Sequence, residues 1–292
     1  MRILPWLLAS VFLLFSAAGF CFSFYFTRRM KRTAFHTAEE YGLDEEYVTF
    51  TATDGVRLHG CWIPVKNSLR TVIILHGHGG SLDWDLHRAP FLHNAGFNVF
   101  LFDFRAHGCS GGRVGTFGYL ERRDVLGAIG YIQKYSYESC GVPQKIGLMG
   151  FSYGAIASIL TAPVTNDVHA VLVDGCPTRM RVALVAHGLD LGLPHWLAVW
   201  FSWMTIIFTS IRFGKNMFAY EPVRWVGKLS PRSILFIHGE LDKYVPDFDE
   251  LYAAAGEPKD AWRLEGVSHT KASEVYPDEF RKRALDFFER YL

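Results

Sequence analysis

The sequence predicts a mostly parallel, eight-stranded α/β sheet with helices on both faces. A helical cap is inserted late in the domain, and an apolar helix stands ahead of it. Three observations carry this. Short continuous apolar runs alternate with helical patterns from Tyr47 onward, as expected for strands covered on both faces. "GFSYG" (150–154) places a serine where one such strand hands over to a helix. Residues 3–26 contain no charged side chain, and about twenty apolar residues cross a bilayer as a helix.

In chain order, "ILPWLLASVFLLFSAAGFCFSFYF" reads as an uncleaved anchor within 1–27. A cleaved signal peptide is the competing reading, with Ser16 and Ala18 before a cut. Its basic start would be Arg2 alone, however, and the apolar run continues past the cut. Arg28, Arg29, Lys31 and Arg32 follow; a basic flank on that side places the rest of the chain in the cytoplasm. Residues 28–46, basic and then acidic, read as a linker, and 47–292 as the globular domain. "YVTFTAT" and "RLHGCWIPV" flank Asp54-Gly55, a hairpin turn. "TVIILH" (71–76) and "NVFLFDF" (98–104) are parallel strands with a helix at 83–94 between them. A helix at 119–136, a strand at "KIGLMG", a helix at 153–162 and a strand at "AVLVDG" follow. "SILFIHG", a helix at 247–255, the short strand "AWRLEG" and a helix at 274–291 close the chain.

Residues 177–228 are too long for a single crossover helix. Within them 191–211 lacks Asp, Glu, Lys and Arg and includes Trp196, Trp200 and Trp203. A second membrane crossing there would separate neighbouring strands into different compartments. The stretch is therefore expected as a cap over the site, its tryptophans suited to a bilayer surface.

A net charge of +1 over 292 residues gives no electrostatic footprint for nucleic acid. Five scattered cysteines without a CxxC spacing argue against a disulfide framework and a structural zinc site.

G-x-S-x-G between strand and helix is the pattern of a nucleophile elbow, a strained turn that exposes a serine Oγ. Ser152 is the candidate nucleophile, and the helix N-terminus beside it favours developing negative charge. A serine hydroxyl needs an adjacent base oriented by a third group. His269, in the loop of "LEGVSHTKA", is the candidate base. Asp242, in "FIHGELDKYVP", is the candidate acid; Asp174, ending "AVLVDG", is its rival, and Glu240 is close in sequence. The glycines of "LHGHGGS" let backbone N–H groups turn toward the serine. His76 and His78 could also be a metal pair, but no further His, Asp or Glu cluster accompanies them.

"TATDGVRLHGCWIPV", "LHGHGGS", "FDFRAHGCSGG", "GFSYG", "FIHGELDKYVP" and "EGVSH" together resemble an α/β-hydrolase of the serine-aminopeptidase-like, membrane-anchored esterase group. The resemblance covers about residues 47–292. It implies the α/β-hydrolase fold, Ser152 as nucleophile, Asp242 as acid and His269 as base. It also implies an oxyanion hole from the N–H groups of His78 and Tyr153, structural roles for Asp103, Arg105 and Gly108, and no metal or organic cofactor. The expected function is a serine hydrolase of carboxylic esters or thioesters, with a small-molecule or lipid ester as substrate. A peptidase or a cofactor-free peroxidase would share the triad. A catalytically silent, membrane-tethered interaction module is the non-enzymatic alternative, and an intact Ser, Asp, His order argues against it. Dehalogenases and epoxide hydrolases would carry aspartate in place of Ser152.

Overall fold

The computed structural model describes residues 4–30 and 36–292. Its strands are β1 (Glu46–Thr51), β2 (Arg57–Ile63), β3 (Arg70–Leu75), β4 (Asn98–Phe102), β5 (Lys145–Phe151), β6 (Val168–Asp174), β7 (Ser233–Gly239) and β8 (Lys259–Leu264). They form one sheet in the order β1-β2-β4-β3-β5-β6-β7-β8. β2 pairs antiparallel with both β1 and β4, and every other neighbouring pair is parallel.

The central strands read as unbroken apolar runs because alternate residues feed two cores. Ile73, Leu75, Phe100 and Phe102 pack on one face, while Val72, Ile74, Val99 and Leu101 pack on the other. The first face is covered by helices α3 (Glu121–Cys140), α4 (Tyr153–Thr161) and α7 (Phe248–Ala254), and the second by α2 (Ala89–Asn94) and α9 (Pro277–Tyr291). After β3 the chain turns to β4 on one side and then to β5 on the other. That reversal opens a crevice at the carboxyl ends of β3 and β5, the place where open α/β sheets bind ligands.

Two expected helices are broken, both at proline. The helix of 83–94 is a 3₁₀ stretch, Leu82–Arg88, followed by α2. Pro90 in the first turn of α2 has no N–H with which to continue a preceding α-helix. The closing helix is α8 (Ala272–Val275) and then α9, which begins at Pro277.

The stretch expected as a cap holds two helices, α5 (Met180–Asp190) and α6 (His195–Phe213), then 3₁₀ turns up to Leu229. α5 and α6 approach closely at Gly188, where a Cβ would sit 2.8 Å from that of Ala198.

The front of the chain departs most from expectation. A helix α1 (Leu4–Thr27) does form, but among the described residues its apolar stretch is Phe12–Thr27, which does not by itself support a membrane-crossing anchor. Among the described residues, only α6 is long and apolar enough to cross by length and composition. α1 packs along α6 in the same sense. Phe15 meets Trp200 edge-on at 5.4 Å, Phe20 meets Phe208 at 5.5 Å, and Arg212 donates to the hydroxyls of Ser23 and Thr27 at 3.1 and 3.0 Å.

Nor do residues just after α1 act as a free tether. Gly115 N–H donates to the Thr27 carbonyl, Met30 N–H to that of Ala106, and Arg29 to those of Ser110 and Gly112. The expected 28–46 linker is thus docked at its start and carries a 3₁₀ turn, Ala38–Tyr41. Arg2, Lys31 and Arg32 lie outside the described residues.

Candidate active site

β5 ends at Phe151 and α4 begins at Tyr153, so one residue makes the turn. Ser152 takes φ 51°, the left-handed region that costs a non-glycine residue roughly 1–3 kcal/mol and persists where surroundings over-determine it. The flanking glycines serve space rather than φ. A Cβ on Gly154 would lie 2.0 Å from the Leu75 carbonyl oxygen, and one on Gly150 2.5 Å from that of Gly154. Close packing of α4 on β3 at Gly154, and of α4 on the end of β5 at Gly150, therefore excludes a side chain at either position.

His269 arrives from the loop after β8. Its Nε2 stands 2.8 Å from Ser152 Oγ, and its Nδ1 stands 2.7 Å from Asp242 Oδ2. Asp242 is buried, and its Oδ1 accepts the Tyr244 N–H at 2.9 Å. Asp242 accepts a hydrogen bond from Nδ1–H, which fixes the tautomer that leaves Nε2 free to accept from the serine hydroxyl. Room for the imidazole comes from Gly175 (φ +63°), where a Cβ would press within 2.9 Å of the His269 ring. The Tyr244 ring packs against His269, 4.6 Å between centroids.

Asp174 is not brought to His269. Its backbone carbonyl accepts the Ser152 N–H at 2.9 Å, and its Oδ2 has no hydrogen-bond partner. Burial pushes this carboxyl up to about 7. Glu240 lies exposed at the surface. The structure thus joins Ser152, His269 and Asp242 and leaves both rival acids out of reach.

Gly77 and His78 line the pocket with Ser152 and Tyr153, and a Cβ on Gly77 would be 3.8 Å from that of Ser152. Tyr153 N–H is among the leading donors of α4, which have no intrahelical acceptor. These are the two expected oxyanion donors. The His78 ring turns away and makes a 3.4 Å contact from Nε2 to the Phe26 carbonyl, at the end of α1. Burial pushes its pKa down to about 3, so it is neutral.

His76 does not pair with His78 as a metal ligand. Its Nε2 accepts the Phe104 N–H at 3.1 Å and its Nδ1 contacts the Gly77 carbonyl at 2.7 Å, occupying both ring nitrogens. Ligand-type atoms of His59, Asp103 and Cys109 lie within 4.8 Å of one another. Asp103, however, already accepts the N–H groups of Leu82 and Cys109, both at 2.8 Å. Gly108 fits against that carboxylate, and Arg105 is held by Asp54 and Asp124. All three residues tie loops together.

The pocket has a cavity volume of about 180 Å³. Phe117, Met180, Leu184, His187 and Tyr244 add to its walls, and sequence reasoning identified none of them. Four come from the cap or from turns whose distance from Ser152 has no periodic signal. Tyr244 sits two residues past Asp242, but its role depends on Asp190, which binds both its hydroxyl and Lys243 and so latches α5 to the acid loop.

A strained serine at a strand–helix turn, a histidine between it and a buried aspartate, and an eight-stranded sheet with that topology define an α/β hydrolase site. The chain belongs to the alpha/beta hydrolase family: the model of that family matches residues 72–283. It is 30% identical to Uncharacterized protein YfhR of Escherichia coli (strain K12), over 95% of this chain and 93% of that protein. It is 25% identical to Uncharacterized protein YqkD of Bacillus subtilis (strain 168), over 89% of this chain and 80% of that protein. Among solved structures it resembles the Pyrococcus furiosus esterase Pf2001, with a TM-score of 0.73, 25% identity, and 91% and 98% of the two chains covered. It is a hydrolase by family and fold.

Proposed function

We propose that this hydrolase cleaves carboxylic esters or thioesters through an acyl-enzyme on Ser152. The observation that carries the reading is the unbroken relay from Ser152 Oγ to His269 at 2.8 Å and from His269 to Asp242 at 2.7 Å. Likeness to an esterase supports the substrate class. As Oγ attacks the carbonyl carbon, His269 Nε2 takes its proton and the carbonyl electron pair moves onto oxygen. The N–H groups of His78 and Tyr153 face that oxyanion. Collapse expels the alcohol or thiol, protonated by His269, and leaves the acyl group on Ser152. A water, deprotonated by the same imidazole, then attacks and releases the acid. A silent interaction module would have no reason to keep the strained Ser152 conformation.

The test is fluorophosphonate labelling of the purified chain, followed by hydrolysis of p-nitrophenyl acetate. Ser152→Ala should lose labelling and lower turnover by several orders of magnitude, with residual rate from the oxyanion hole. Labelling at the wild-type level would end the assignment.

We also propose that α1 and α6 meet the bilayer as one unit, with the catalytic domain on the cytoplasmic side. Apolar side chains of both helices are exposed, including Phe12, Leu13, Leu14, Trp196, Trp203 and Ile211. Trp200 is not among them: it packs on Phe15 and Phe201. Arg28 and Arg212 stand where the two helices end, a charge placement suited to lipid headgroups.

A further inference from the structure

The catalytic pocket shares a wall with a neighbour. Phe117, Met180 and Leu184 line both it and a second, narrower chamber beneath α6. That chamber has a cavity of about 20 Å³, room for one hydroxyl-sized group. Thr205, Thr209 and Glu221 also line it.

Thr205 and Thr209 lie one turn apart on α6, are 2% and 4% exposed, and neither Oγ1 has a hydrogen-bond partner. Helical hydroxyls elsewhere in this chain behave differently: Thr27, Thr161 and Ser210 each donate to the carbonyl one turn back, at 2.7 Å. A buried orphan hydroxyl is destabilising, and here two stand on one face. Glu221 is buried, with Arg224 at 3.6 Å and Arg179 at 4.0 Å, the latter held more closely by Glu250 and Asp247. Neither arginine reaches it at ordinary hydrogen-bond length. Phe117, at the partition, holds φ 55°, a strained conformation for a bulky residue of the kind found at ligand clamps.

We propose that this chamber is a subsite for a terminal hydroxyl, so that the preferred acyl chain carries an oxygen at its far end. The inference rests on the esterase reading above. The chain passes Phe117, Met180 and Leu184 and sets its hydroxyl among Thr205, Thr209 and Glu221. A hydroxyl both donates to the carboxylate and accepts from a threonine. A methyl end would leave both threonine hydroxyls dry and unpaired. An ammonium can only donate and would leave the threonine protons without an acceptor, and a carboxylate would face Glu221 itself.

The experiment compares p-nitrophenyl alkanoates with their ω-hydroxy counterparts, from butanoate to dodecanoate, using the full chain in detergent. The ratio of kcat/KM, hydroxylated over plain, should be near one for short chains and rise about tenfold at the length that reaches the chamber, equivalent to about 1.4 kcal/mol. The double variant Thr205→Val, Thr209→Val, its fold checked by circular dichroism, should bring the ratio back toward one. Should it fail to fold, Thr209→Val alone carries the comparison. A flat ratio in the wild type, or a rise that survives the valines, overturns the subsite. A wild type inert on every ester, acetate included, overturns the esterase reading instead. The subsite is then read by binding: ω-hydroxydecanoate should raise the melting temperature of Ser152→Ala more than decanoate does, and equal shifts overturn it.

Discussion

Asp242→Asn separates the two candidate acids. Asp242 makes two directed contacts: Oδ1 accepts the Tyr244 N–H at 2.9 Å and Oδ2 faces His269 Nδ1 at 2.7 Å. An asparagine can satisfy only one of them as the aspartate does. If its oxygen stays on Tyr244, its NH₂ confronts Nδ1, and the imidazole must move its proton to Nε2, where it can no longer accept from Ser152. If the amide flips, the correct tautomer is kept, but NH₂ then faces the Tyr244 N–H inside a buried loop, at about 1–3 kcal/mol. In both cases the charge that stabilises the imidazolium is gone. The loss expected when a triad acid is made neutral is roughly 10⁴-fold, or about 5 kcal/mol of transition-state stabilisation. The assay is kcat/KM on p-nitrophenyl acetate together with the rate of fluorophosphonate labelling. Asp174→Asn, which touches neither His269 nor its loop by side-chain hydrogen bond, should stay within a few fold of wild type. A reversed order would refute the geometric argument and move the acid to the end of β6.

Asp174 should instead govern stability against pH. Its folded pKa is pushed up to about 7 by burial, from an ordinary 3.8. The native state therefore binds more protons than the unfolded one between those values, and stability falls as pH rises through that window. Asp174→Asn should raise the melting temperature at pH 8 more than at pH 4, and an equal change at both would remove this cause. Trp196→Ser with Trp203→Ser should weaken flotation of the full chain with liposomes at little cost in fold, because both rings are exposed; unchanged flotation would count against the α1–α6 membrane face. A reporter phosphatase that works only after export, fused at the C terminus, should stay inactive, and bright activity would reverse the orientation.

Much of this fold was legible because its signals are local. The apolar runs of β3 and β4 follow from burial on two faces, and the hairpin of β1 and β2 from Asp54-Gly55. Gly150 and Gly154 mark the elbow because no Cβ fits there. His269 and Asp242 could be named from chain order and loop chemistry, although Asp174 stayed open until the His269 contact closed it. The pocket wall could not be read in this way. Its residues come from the cap, whose apolar pattern says that a face is covered without saying by what. The same limit applies to Pro90 and Pro277, which were visible as residues but not as the points where two helices break.

The front of the chain shows that limit most clearly. An uncharged run followed by a basic flank reads as an anchor on a string, since a hydropathy pattern carries no information on partners. In the fold, Phe26 is buried against Leu184 and Ile206, its carbonyl meets the His78 ring, and Gly115 and Ala106 hold Thr27 and Met30 by backbone hydrogen bonds. The end of α1 therefore supports both Leu184 in the pocket wall and the loop of His78, the proposed oxyanion donor. A cut after residue 27 would remove more than a membrane contact. It would take the packing from Leu184 and the carbonyl from His78, so a soluble truncation is a test of catalysis as much as of localisation. Exposed tryptophans on α6 leave those contacts alone, and for that reason they are the cleaner probe of the bilayer.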